Sequence, residues 1–206
     1  MGTAIRKIGV TNYPGYPPLV VHLRPVLDMT EDEFFEFCQL NRDLRIERNA
    51  RGELIIMPPT VFETGDQNAE INMQLRQWAK KDGTGMTFDS SAGFSLPNGA
   101  VRSPDASWLK KERVKFLTKK QRRQFAPLCP DFVLELRSHT DRLGDLKEKM
   151  QEYMENGAQL GGLLDPKTRR VYVYRPGRPV EILSNPDAVS GDPLLAGFTL
   201  DLGEVW

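Results

Sequence analysis

Apolar positions gather most densely between Cys129 and Pro166. Phe132, Val133, Leu134 and Leu136 form a short run with one acid, Glu135, set inside it. A polar turn over 138–141 separates that run from an amphipathic stretch, 143–156, closed by Gly157. A second apolar run, 160–164, stops at Asp165-Pro166. Short apolar runs bounded by turn residues predict two largely buried strands with a helix between them. A crossover of this length joins parallel strands with a right-handed connection.

The same reading extends along the chain. Residues 1–28 read as an irregular arm, rich in Pro and Gly at 13–18, with a possible short strand over 19–23. Thr30 followed by Glu33 is a capping box, and Phe34, Phe37 and Cys38 give the short helix behind it an apolar face, with Asn41 closing it. Strands at 44–46 and 54–57 flank Asn49-Ala50-Arg51-Gly52, a hairpin signal. Pro58-Pro59 ends the second strand, and Thr64 or Asp66 caps a helix running to about Lys81, with Ile71, Leu75 and Trp78 on its apolar side. Residues 86–96 predict two short strands or one bulged strand, and 101–109 predict another, carrying Asp105 behind Pro104. After Pro166 come a hairpin from 171–174 and 180–183, a turn-rich loop over 184–197, and a last short strand at 198–202.

Composition limits the function classes. The 206 residues are enough for one domain with a substantial core, and the formal net charge is zero, so any surface for nucleic acid must be local. Two cysteines far apart, Cys38 and Cys129, and two histidines, His22 and His139, are too few and too scattered for a zinc site. Free thiols in a reducing cytoplasm are the simplest account. No stretch resembles a signal peptide or approaches the length of a membrane span.

Two acids are out of place on apolar strands. Burial of an ionised carboxylate is costly without a cation or hydrogen-bond donors, so Glu135 and Asp105 each need a reason. Glu135 either faces the polar side of an edge strand, pairs with Arg137, or serves a site shared with Asp105. The segment 110–123 concentrates cations, among them Lys110, Lys111, Arg113 and Lys115, against the single acid Glu112. It reads either as a solvated surface or as a local phosphate-contacting patch.

Pro104-Asp105, followed by Glu135 two residues before a cation, resembles the PD-(D/E)XK nuclease superfamily. The stretches GELIIMPPT, VRSPDASWL, PDFVLELRS, DLKEKMQEYMENG, GGLLDP and GFTLDLGEVW together are similar to the large bacterial Uma-two family of restriction-endonuclease-like proteins. The resemblance implies an α/β fold with a central mixed β-sheet flanked by helices, a core over about 65–166, and added N-terminal and C-terminal strands, the last over 167–206, all in one domain. It also implies a Mg²⁺ site, with Mn²⁺ as a possible substitute, on Asp105 and Glu135. Hard carboxylates suit such an ion. Glu70, on the earlier helix, matches where some relatives carry a further metal-site acid.

The superfamily's lysine is replaced by Arg137, a candidate catalytic cation that can stabilise charge on the phosphate but stays protonated and is a poor base. The resemblance therefore points to Lys149 as an active-site lysine relocated to the helix, with Tyr153 four residues on along the same ridge. It implies a DNA endonuclease that acts as a homodimer. The alternative is a catalytically silent module of the same fold that binds nucleic acid or a protein partner.

Overall fold

The structure, a computed structural model, describes residues 18–206. Most of the N-terminal arm expected over 1–28 therefore lies outside the described residues. In chain order the elements are β1 (Leu19–Val21), α1 (Glu31–Leu40), β2 (Arg45–Arg48), β3 (Leu54–Met57), α2 (Phe62–Asp82), β4 (Gly85–Asp89), β5 (Phe94–Ser95), β6 (Val101–Arg102), β7 (Ala106–Lys110), α3 (Lys111–Lys115), β8 (Phe132–Leu136), α4 (Leu143–Glu155), β9 (Leu160–Asp165), β10 (Arg170–Tyr174), β11 (Glu181–Ser184), β12 (Ala188–Ser190) and β13 (Thr199–Asp201).

The central sheet is mixed and six-stranded, in the order β11-β10-β9-β8-β7-β4. Its parallel pair is β8 with β9, joined by α4 as the apolar pattern predicts. Side-chain alternation along these strands divides the core between two faces. On one face α4 lays Met150 and Tyr153 against Val133, Leu163 and Tyr172. On the other, Ile71 and Leu75 of α2 join Phe198, Leu200 and Leu202 over Leu134 and Leu164. Gly161 lets α4 approach closely, because a β-carbon there would lie 2.6 Å from Met150 Cε.

A second, five-stranded sheet runs β1-β3-β2-β6-β5, with the predicted hairpin at its centre. Its own core is Phe34, Ile46, Leu54 and Val101, closed by α1. The Thr30–Glu33 capping box forms as expected.

Three boundaries differ from expectation. The strand expected over 101–109 is two strands in different sheets, β6 and β7, because Pro104 interrupts the ladder. Asp105 is thereby placed where the chain passes from one sheet to the other. Helix α2 begins at Phe62, ahead of the Thr64 and Asp66 caps, with Val61 at its N-cap making no side-chain bond; Thr64 is buried inside the helix instead. The expected loop over 184–197 holds β12, which pairs with β13. Among the described residues no helix is long and apolar enough to cross a membrane.

Candidate active site

Strand β2 reads Arg45-Ile46-Glu47-Arg48, and its period of two separates the jobs. Ile46 enters the core of the smaller sheet, and Arg48 lies over the Phe34 ring. Arg45 and Glu47 turn the other way, into a cleft of about 840 Å³ that is also lined by Asn68, Asp105, Glu135 and Lys149. The cleft thus lies between the hairpin sheet and the end of the central sheet, with the N-terminal part of α4 on its wall.

Asp105 is fixed by the backbone: Leu136 N–H donates to its Oδ2 at 2.9 Å, tying the start of β7 to the end of β8. Its Oδ1 receives a longer contact, 3.4 Å, from Arg45 Nη2. The backbone carbonyl of Asp105 accepts from Asn72 Nδ2 at 2.9 Å. Glu135, one residue before Leu136, projects from β8 towards α4. Tyr153 donates its hydroxyl to Glu135 Oε1 at 3.0 Å, and Lys149 Nζ lies 2.9 Å from the same oxygen.

Lys149 is shared. Its ammonium lies 3.0 Å from Glu47 Oε1, so one cation bridges an acid of each sheet. Glu47 is held further by Ser103 N–H at 3.0 Å and by Arg102 Nη1 at 3.1 Å, and Arg102 Nε reaches Glu152 at 2.6 Å. The result is a buried chain of charges, Glu135–Lys149–Glu47–Arg102–Glu152, running from the cleft floor along α4.

Burial and pairing divide these acids. For Glu47, burial raises the pKa, but Lys149, Arg102 and the Ser103 amide outweigh it and hold the carboxyl down at about 2. For Glu135, burial is the largest cause, and the charges of Asp105 and Glu47 add to it against the pull of Lys149, pushing it up to about 7. Asp105 is also raised, chiefly by burial, against the attraction of Arg45 and Lys149. Burial disfavours the Lys149 ammonium, yet Glu135 and Glu47 more than offset this and raise it. Lys149 therefore keeps its proton, Glu47 is its ionised counter-ion, and Glu135 is the acid that exchanges a proton near neutral pH. Two carboxylates raised by shared burial suit a hard cation, which would relieve both. Among the described residues nothing donates to Glu135 Oε2, and no three His, Cys, Asp or Glu side chains form a ready metal cage. A cation on Asp105 and Glu135 would draw its other ligands from the backbone, water and substrate, as Mg²⁺ commonly does.

Several expected site residues lie elsewhere. Arg137 does not line the cleft; Nη1 binds both Asp165 oxygens, at 3.0 and 3.1 Å, and Nε donates to the Asp141 carbonyl. Asp165 is fully buried and requires that cation, so the Arg137 guanidinium is directed away from the cleft. Glu70 is on the wrong side of α2: its carboxylate accepts from Gln74, which reaches the backbone of Asp201. The side of α2 facing Asp105 carries Asn68 and Asn72, one turn apart. The basic residues sit at the far end of β7, where roughly 3.3 Å per residue carries Lys110 about 16 Å from Asp105. There Lys111 donates to the Gly83 carbonyl and Arg113 pairs with Asp131 at 2.9 Å, while Lys110 and Lys115 are exposed. None of the four lines the cleft. The sequence reading missed Glu47, Arg45 and Arg102; the alternation in Arg45-Ile46-Glu47-Arg48 was the available signal for the first two.

The geometry can be set beside known proteins. Residues 31–203 match the model of the Uma2 family, described as "Putative restriction endonuclease". The chain belongs to this family. A solved structure from Anabaena variabilis, a "putative nuclease belonging to DUF820", superposes with a TM-score of 0.66 at 21% identity, covering 82% of this chain and 92% of that one. At that identity the likeness establishes the fold, a mixed sheet flanked by helices. No curated protein matches the chain.

Proposed function

We propose that the chain is an endonuclease that hydrolyses DNA phosphodiester bonds in the cleft between its two sheets, with Mg²⁺, or Mn²⁺ in its place, on Asp105 and Glu135. The observation that carries this is the Lys149 ammonium 2.9 Å from Glu135, which lines the same cleft of about 840 Å³ as Asp105. A structural ion pair has no need of a second buried acid, Asp105, whose charge raises Glu135. When bound, the cation supplies Lewis acidity towards the phosphate and its attacking water.

The chain's own residues do the rest. Leu136 N–H and Tyr153 O–H hold the two carboxylates in place, so no reorganisation is required as the reaction proceeds. Lys149, kept protonated by Glu47, faces the negative charge that grows on the phosphate as the water oxygen bonds to phosphorus and the leaving oxygen departs. Arg137 takes no part. Cutting both strands of a duplex needs two such clefts, which a homodimer would supply.

The test is nicking of supercoiled plasmid. Wild type should nick with Mg²⁺ or Mn²⁺ and not with a chelator. Lys149→Met should nick at least about 100-fold more slowly, the usual scale for losing one preorganised charge-stabilising group. A wild type that binds DNA but never cuts it, with either ion, would make this a silent nuclease-fold module.

A further inference from the structure

Among the described residues three of the cleft's cations contact its buried acids, and two of them are each held by two carboxylates: Lys149 by Glu135 and Glu47, Arg102 by Glu47 and Glu152. Arg45 is different. Its one acid contact is the longest of the set, 3.4 Å to Asp105, and its other bond is to the Ser103 carbonyl at 3.3 Å. Among the described residues Arg45 Nε is buried with no partner, and none bonds Nη1. The Arg45 side chain is 35% exposed to the cleft, against 12% for Lys149 and 9% for Arg102. A second polar atom left over in the same cleft is Asn68 Oδ1, on α2 one turn before the residue that binds the Asp105 carbonyl. Buried donors and acceptors are almost always paired, so two unpaired ones flanking Asp105 mark a place that a ligand or ordered water completes.

We propose that Arg45 is a phosphate-binding residue of this cleft, its guanidinium taking a non-bridging oxygen of the DNA backbone. The proposal rests on the nucleic-acid reading of the cleft but does not need cleavage. A guanidinium presents donors in a planar fork that fits a phosphate bidentately, and Arg45 has donors to spare. A cation bound at Asp105 would compete for Oδ1 and leave Arg45 freer still. The cation comes from the hairpin sheet, so substrate binding spans both sheets.

The test is the salt dependence of binding by the full chain to a short duplex DNA, with Ca²⁺ replacing Mg²⁺. Each phosphate contact contributes about 0.9 to the slope of log affinity against log salt. Arg45→Gln should lower that slope by about 0.9, Arg45→Lys should keep it, and Lys81→Gln, on the exposed end of α2, should leave it unchanged. An Arg45→Gln slope equal to wild type, in a folded variant, overturns the proposal. If the single change unfolds the chain by stranding Asp105, the same comparison is made between Asp105→Asn and Asp105→Asn/Arg45→Gln, with the same two outcomes. A wild type that binds without cutting removes only the catalytic reading. A wild type that does not bind duplex DNA removes the Arg45 proposal with it.

Discussion

The Lys149 ammonium lies 3.0 Å from Glu47 Oε1, joining the crossover helix of the central sheet to the hairpin sheet through a buried ion pair. Breaking a buried pair by removing one partner strands the other charge and costs about 3–5 kcal/mol. Glu47→Gln strands two cations, but each retains a second acid, Glu135 or Glu152. The expected loss is therefore about 3 kcal/mol, at the low end of that range. Urea unfolding at neutral pH measures it directly. Nicking per folded molecule should fall too, because Lys149 loses one of its two holders. A variant as stable as wild type would mean that the two sheets are not locked at this point.

Arg137→Ala separates stability from chemistry. Its bidentate partner Asp165 is fully buried, so truncation should cost about 3 kcal/mol or more in urea unfolding. Nicking per folded molecule should stay within roughly twofold of wild type, the small change expected of a substitution that touches no site group. A loss as large as that of Lys149→Met would return Arg137 to the catalytic set.

Sequence reasoning reached the crossover unit because its signals are local. The apolar runs, the closing Gly157 and the spacing of Lys149 and Tyr153 all fall within one stretch of chain. Glu47 escaped because its contact with Lys149 spans 102 residues, and an alternating charged strand looks like any half-exposed edge. Arg137 misled because position two after the acid is where the superfamily pattern puts its cation. What decides its direction is Asp165, 28 residues on. Glu70 misled for a different reason: on a helix, residues two apart face different ways, so Glu70 cannot share the side that Asn68 and Asn72 present to Asp105. Pro104 cannot donate to a ladder, but no local signal says that a chain will leave one sheet for another.

The last prediction joins metal, pH and stability. Both Asp105 and Glu135 are raised in the folded protein, Glu135 to about 7. A raised acid means that the folded chain holds the proton more tightly than the unfolded one. The site's contribution is then most favourable below the unfolded carboxyl range, and it is lost as pH rises through about 4.5 towards 7. Glu47, held down at about 2, acts in the opposite sense, but its contribution is lost only as pH falls below about 4.5, so it does not mask the effect. Metal-free wild type should therefore melt lower at pH 7.5 than at pH 5 as far as this site governs it. Mg²⁺ at a hundred times its Kd should restore about 2.7 kcal/mol at the higher pH. Asp105→Asn removes a charge that raises Glu135, so metal-free it should melt above wild type at pH 7.5, show a smaller drop between the two pH values, and gain little from Mg²⁺. Differential scanning calorimetry of both proteins at the two pH values, with and without Mg²⁺, decides the matter. Equal Mg²⁺ shifts in the two proteins would show that Asp105 does not hold the ion, and the cleft would then have to bind phosphate without it.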